Sequence, residues 1–171
     1  LGEKMQHAAF TVAISSFGRS QLYRWAALAD WKKLNVVHCG IEPEKFPNPS
    51  ALPSGGPHLV AIGRLSEQKG FSLLIKAVSL SVAAHPNLHL TLVGDGPMRP
   101  EIEALITAND LSRHITLAGW QDETGVKHAL AAAQSLILPS FAEGLPMVVM
   151  EAMAAGLPLV VAIFAIVLYM M

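Results

Sequence analysis

Residues 58–85 read HLVAIGRLSEQKGFSLLIKAVSLSVAAH. A continuous apolar run, HLVAI, predicts a strand over 58–62. The polar loop GRLSEQKG follows, and apolar residues at helical spacing then predict a helix over 70–84. The same unit recurs along the chain. HLTLV (89–93) and ITLA (115–118) predict strands, each followed by a helix, over about 98–109 and 124–133. SLIL (135–138) predicts a strand, PMVVMEAMAA a helix (146–155), and PLVVAI a strand over 158–163. Strands that alternate with helices of this length make βαβ units and a parallel sheet. Apolar runs without alternation belong to strands covered on both faces. The expected fold is therefore α/β, a Rossmann-like doubly wound parallel sheet. In such sheets ligands bind beyond the carboxyl ends of the strands, so the loops after each strand carry the functional question.

Upstream, FTVAI (10–14) predicts a short strand with Ser15 and Ser16 as helix-capping residues, and residues 17–30 carry helical spacing. NVVH (35–38) predicts another strand. Residues 39–57 hold five of the eleven prolines and read as a linker.

The totals exclude several classes. Net charge is −1 and no basic stripe carries interleaved aromatics, so nucleic acid is not an expected partner. Cys39 is the single cysteine, so no disulfide forms within the chain. The seven histidines show no metal-ligand spacing, and no metal is assigned. No His–Asp pair near Ser140 supports it as a nucleophile. The opening LGEKMQHAAF lacks the features of a secretory signal. Residues 157–171 are apolar or aromatic apart from Pro158, a run shorter than the ~18–20 residues that span a bilayer. A buried strand with an altered continuation, a membrane-associated tail and a core helix all stand as readings of it.

Four loops remain. GRLSEQKG places two cations, Arg64 and Lys69, beside a helix start, where the helix dipole disfavours a cation unless an anion is bound. A phosphate-binding loop and a solvated loop in which Glu67 pairs with a cation both satisfy this. GDGP (94–97) reads as a tight turn. In GWQDE (119–123), Trp120 reads as a core side chain, with stacking on a base as the alternative. The fourth loop leads into PSFAEGLPMVVMEAMAAG, whose helix is apolar or small on every side and so is expected to be buried all round. Pro146 suits its first position and Gly156 the position just past its end. Glu151 is its only charge, and a buried carboxylate needs donors. Glu143 precedes the helix, and Gly144 and Leu145 can turn backbone N–H groups toward an anion. A phosphate nest between two hydroxyl acceptors describes a sugar nucleotide. A core helix with a structural glutamate is the competing reading.

Taken in order, VAIGRLSEQKG, LTLVGDGPMRPEIEAL, ITLAGW and LILPSFAEGLPMVVMEAMAAGLPLVV resemble the C-terminal, donor-binding domain of retaining glycosyltransferases of family 4, which have the GT-B fold. The likeness covers roughly residues 10–162. HCGIEP and FAEGLPMVVMEAMA look most like bacterial exopolysaccharide-type enzymes. The resemblance implies that residues 1–33 are the tail end of an N-terminal domain, 34–57 an interdomain crossover, and 58–171 an incomplete donor domain with an atypical tail over 163–171. It implies that Arg64 and Lys69 bind the donor diphosphate and stabilise the leaving group, and that Glu143 holds sugar hydroxyls. Gly63, Gly144 and Leu145 would contact the donor, Glu151 the ribose, and Trp120 would border the base. No cofactor or metal is implied: two cations and a helix start can stabilise the leaving diphosphate. The implied partners are a nucleotide sugar, a glycan or lipid-linked acceptor and the missing N-terminal domain. The expected location is cytoplasmic, at the inner face of the membrane, with peripheral membrane association.

The sequence also departs from the family's pattern. After LPLVVA it reads IFAIVLYMM in place of a Gly-Gly-x-Pro-Glu loop. A fragment, inactive alone, is the expectation. The alternative is a non-catalytic nucleotide-binding module whose tail docks on a membrane or partner.

Overall fold

The apolar runs between residues 58 and 161 become strands, and the central ones are covered on both faces. In the computed structural model, which describes residues 1–46 and 54–162, five parallel strands form one sheet. The chain divides into two compact units, residues 1–40 and the residues from 41 onward.

The first unit holds α1 (Gly2–His7), β1 (Thr11–Ala13), α2 (Ser16–Tyr23) and β2 (Leu34–Val36), with β1 and β2 parallel. Ser15 caps α2 by accepting the Gly18 N–H at 2.9 Å. The helix expected over 17–30 is shorter. It ends at Tyr23, and a separate 3₁₀ turn runs from Leu28 to Lys33. Trp25, within the expected helix, stays 63% exposed, so no burial there carries the helix onward.

In the second unit the strands are β3 (His58–Ile62), β4 (His89–Val93), β5 (Ile115–Gly119), β6 (Ser135–Leu138) and β7 (Leu159–Val161). The connecting helices are α3 (Phe71–Ser81), α4 (Arg99–Ala108), α5 (Glu123–Ala132) and α6 (Met147–Ala154). Element type agrees with the sequence reading throughout, and the boundaries differ by a few residues at most. Adjacent residues of β3 point to opposite faces. Ala61 joins α3 and α4 through Phe71, Leu74, Ile75 and Ile102. Val60 joins the other cluster, with Leu130, Ala152 and Leu157. Both strand residues are fully buried, which is why the run reads as continuously apolar.

Strand order is β5-β4-β3-β6-β7. From β3 the chain winds outward through β4 and β5, then returns to pair β6 with the other side of β3. The winding direction therefore reverses between β3 and β6. A crevice opens at such a reversal beyond the carboxyl ends of the two strands.

Residues 47–53 of the expected linker and the apolar tail at 163–171 lie outside the described residues. Within the same expected linker, Phe46 is buried and packs in the α5–α6 cluster. Among the described residues no helix is long and apolar enough to cross a membrane.

Candidate functional site

The loops after β3 and β6 meet at the reversal point. Gly70 makes the approach possible. It has φ +66°, and a Cβ there would strike the Pro139 carbonyl. The Phe141 N–H donates to the Gln68 carbonyl at 2.8 Å, and Gln68 Nε2 donates to the Ala142 carbonyl at 2.6 Å. These contacts bring Lys69 to Glu143, where Nζ and Oε1 are 2.6 Å apart. Ser140, fully buried, donates its hydroxyl to the same Oε1 at 2.6 Å. The Glu143 side chain is 7% exposed and that of Lys69 is 21% exposed. No described residue donates to Glu143 Oε2. Glu67 forms no ion pair among the described residues, so the solvated-loop reading fails for Lys69. Its partner comes from the other loop.

The β3 loop is braced from its other side as well. The Gly63 N–H donates to the Val93 carbonyl and the Leu65 N–H to the Asp95 carbonyl, at 2.9 and 3.0 Å. Gly94 has φ +136°, and a Cβ there would collide with the Gly63 carbonyl. GDGP is thus more than a turn: its glycine lets the ends of two neighbouring strands stay in contact. Asp95 is occupied by Arg99, at 3.0 Å. Arg64 is exposed and has no ion pair or side-chain hydrogen bond with another described residue.

Beyond Glu143 the chain turns through the exposed Gly144 and Leu145 into α6, with Pro146 as the N-cap residue rather than the first helical one. No side chain caps this end. Among the described residues, the N–H groups of Gly144, Leu145, Met147 and Val148 have no backbone acceptor. They carry the open donors and partial positive charge of a helix start. The other end closes as expected at Gly156, with φ +67°. The Leu157 N–H donates to the Ala152 carbonyl and the Gly156 N–H to the Met153 carbonyl, a Schellman arrangement.

The expectation that α6 is buried all round is overturned. Ala152 is its fully buried residue, while Met153 is 64% exposed and Met147 36%. The helix covers β6 and β7 with one face, and small alanines on that face allow a close approach. Glu151 is half-buried. It takes no hydrogen bond or ion pair from a described residue, and it lines a cleft of about 350 Å³. Ile41, Phe46 and Val126 give that cleft apolar walls, and Glu42, Lys45 and Glu123 add charge. Burial, and secondarily the Glu123 carboxylate, raise the Glu151 carboxyl above its ordinary range, while Lys127 opposes the shift. Lys127 itself pairs with Glu123 at 2.7 Å and lies 5.2 Å above the Phe46 ring.

Trp120 is 74% exposed at the end of β5, so the core reading is also overturned. Gly119, with φ +70°, turns the chain outward just before it. Trp120 does not line the Glu151 cleft. The fold thus brings Lys69, Glu143 and the α6 start together and leaves Trp120 apart. Sequence reasoning missed two contributors. Ser140 was weighed only as a nucleophile, although it stands three residues before a glutamate that needs a donor. The cleft walls at Ile41 and Phe46 lay hidden in a proline-rich segment read as linker.

Comparison with known proteins identifies the family and the fold. A family model described as "Glycosyl transferases group 1" matches residues 42–165. The amylovoran biosynthesis glycosyltransferase AmsK of Erwinia amylovora is 32% identical over 136 residues, which is 75% of this chain and 33% of that protein. The lipopolysaccharide core biosynthesis glycosyltransferase LpsE of Rhizobium meliloti is 38% identical over 108 residues, 63% of this chain and 30% of that protein. The chain thus spans about a third of the length of these relatives. Anabaena HepE, solved in complex with UDP and glucose, shares the fold with a TM-score of 0.75 at 22% identity, over 95% of this chain and 47% of that one.

Proposed function

Since the chain belongs to the glycosyl transferases of group 1, we propose that it carries the donor half of a family 4, retaining transferase. That enzyme moves a sugar from a nucleotide-diphosphate donor to a glycan or lipid-linked acceptor. The observation that carries this reading is the meeting of Lys69, Glu143 and the uncapped start of α6 at the point where the sheet reverses. Arg64 and Lys69 bind the diphosphate. The N–H groups of Gly144 and Leu145 add donors that need no reorganisation when charge develops on the leaving group. Glu143 accepts sugar hydroxyls through Oε2. Glu151 accepts the ribose hydroxyls, and the apolar walls of its cleft border the nucleoside. Gly63 stays small so that the donor can approach the β3 loop. Trp120 stands outside this cleft, and its assignment to the base rests on the family resemblance alone.

No cofactor takes part, because the cations and the helix start supply the charge that a metal would otherwise provide. The acceptor is bound by a further domain, and the 171 residues are inactive alone. The work is done in the cytoplasm at the inner face of a membrane. Two features of the comparisons favour this over a non-catalytic nucleotide module. The relatives are named as polysaccharide glycosyltransferases, and a protein of the same fold holds UDP with glucose.

Calorimetry tests the reading directly. The chain is titrated with UDP, GDP and ADP and with sugar esters of each. Binding of one pair, weakened by Glu151→Ala and by Arg64→Ala, supports it. Binding of none of the six ligands refutes it.

A further inference from the structure

Ser140 is wholly buried just past β6, yet its hydroxyl is spent on one oxygen of the Glu143 carboxylate. The contact with Glu143 Oε1 is 2.6 Å, within the short range of O–H···O⁻ bonds. Lys69 reaches the same oxygen at the same distance. The two donors differ in kind. An ammonium on a four-carbon stem is a rotatable point charge and fixes no orientation by itself. The Ser140 hydroxyl is held on one rotatable bond at a strand end. Pro139, directly before it, has its carbonyl against Gly70, and Phe141, directly after it, donates its N–H to the Gln68 carbonyl at 2.8 Å. The serine therefore has little freedom to follow the carboxylate if that moves.

We propose that Ser140 is a positioning residue that fixes the Glu143 carboxylate with Oε1 turned toward Lys69 and Oε2 turned toward the donor sugar. The inference rests on the proposed role of Glu143 as the sugar-hydroxyl acceptor. An ionised carboxylate is acceptor-only, with two oxygens to distribute. Saturating Oε1 with two protein donors leaves Oε2 for the ligand and sets the plane in which it accepts. Without Ser140, either oxygen can turn to Lys69, and the geometry toward the sugar is no longer single. Such a loss falls on the sugar and spares the nucleotide, which Glu151 and Arg64 hold from elsewhere.

The test compares a nucleoside diphosphate with its sugar ester on the full chain. UDP with UDP-glucose, GDP with GDP-mannose and ADP with ADP-glucose are titrated calorimetrically, and the pair that binds is carried forward. In Ser140→Ala, affinity for the sugar ester should fall about tenfold, the worth of one charge-assisted hydrogen bond, with less than about a twofold change for the diphosphate. Ser140→Cys keeps the volume with a weaker donor and should show the same selectivity. Glu143→Gln supplies the reference selective loss. Equal losses for both ligands, or no loss in either serine variant while Glu143→Gln is selective, overturn the role of Ser140 and leave the proposed function standing. Failure of both serine variants to fold assigns Ser140 to structure alone and also overturns it. A Glu143→Gln variant without selectivity, or a wild-type chain that binds no pair, removes the underlying reading and this inference with it.

Discussion

Lys69 and Glu143 stand 74 positions apart in the chain, yet Nζ and Oε1 meet at 2.6 Å in a part-buried contact. The pair fastens the β3 loop to the β6 loop across the reversal of the sheet, so one contact ties the fold to the candidate site. Breaking a buried pair strands a charge, and the cost depends on which partner is left. Lys69→Ala leaves an anion with Ser140 as its remaining donor. Stability should fall by about 2 kcal/mol, less than for a fully buried pair because Lys69 keeps some water contact. Glu143→Gln should cost less, since the amide oxygen still accepts. The double variant Lys69→Ala, Glu143→Gln should lose less than the sum of the single losses, with a coupling above about 1 kcal/mol by urea denaturation. Strict additivity would show that the contact holds nothing together.

Arg64 offers the opposite case. It is exposed and has no described partner, so Arg64→Ala should leave the urea midpoint within about 0.5 kcal/mol of wild type. Nucleoside diphosphate affinity should nonetheless fall roughly tenfold or more, as for a lost charge-assisted bond. The remaining affinity should depend less steeply on salt than that of the wild type. An unchanged affinity would remove Arg64 from the site.

The contrast between these two cations marks what the sequence could disclose. Both stand in GRLSEQKG and read alike there. Strands, helices and the parallel sheet were legible because each is a local pattern: period, apolar run, capping serine, terminal glycine. Which cation is paired was not legible, because Glu143 arrives from another βα unit through the β3–β6 pairing. The same limit hid Ser140, whose role depends on where Glu143 turns. It misplaced Trp120, since an aromatic after an apolar strand looks like core until Gly119 bends the chain away. It also overstated the burial of α6, whose composition is apolar all round while its packing uses one face. Function can leave an apolar surface open, and periodicity alone does not separate such a surface from a buried one.

Glu151 should reveal a conflict between stability and binding. Burial raises its carboxyl above the ordinary value of 4.5, with Glu123 adding to the shift and Lys127 opposing it. The native state therefore holds the proton more tightly than the unfolded chain. Stability falls as pH rises through the window between the ordinary and raised values. At pH 7 the ionised carboxylate is a net cost, and Glu151→Gln should raise stability by roughly 0.5 kcal/mol once solvent screening is allowed for. The same variant should weaken nucleotide binding. Glu123→Gln should lower the midpoint of Glu151 in a carboxyl ¹³C titration, and Lys127→Met should raise it. A stabilised Glu151→Gln chain with intact nucleotide affinity would assign the residue to neither ribose nor phosphate.

Gly94 tests whether the close contact between the ends of β3 and β4 matters. Its φ of +136° is rarely reached by residues with a side chain, and a Cβ would meet the Gly63 carbonyl. Gly94→Ala should cost at least about 2 kcal/mol, combining backbone strain with displacement of the β3 loop. Because that loop carries Arg64 and Lys69, amide NMR shifts should change along 63–70 more than within α5. Alanine tolerated at wild-type stability would mean that the two loops need not touch.

The opposite end of the sheet should make the domain sensitive to acid. His58 and His89 open β3 and β4 in register, with rings 5.4 Å apart. His89 Nε2 lies 2.9 Å from Thr116 Oγ1 and His58 Nε2 2.9 Å from Thr91 Oγ1. Burial, then His58 and His114, lower the His89 value from its usual 6.5, against a raising hydrogen bond to the Arg113 backbone. A lowered value means that the unfolded chain takes up the proton first as pH falls. The stability that neutral His89 contributes is therefore full above about 6.5 and declines below it until the native ring also protonates. His89→Gln keeps a polar group beside Thr116 and removes the titration. Urea midpoints at pH 7.5, 6.5 and 5.5 should fall less steeply for the variant than for the wild type. Parallel lines would show that acid acts elsewhere, and that the pairing of these two rings across β3 and β4 leaves His89 as free to protonate as in the unfolded chain.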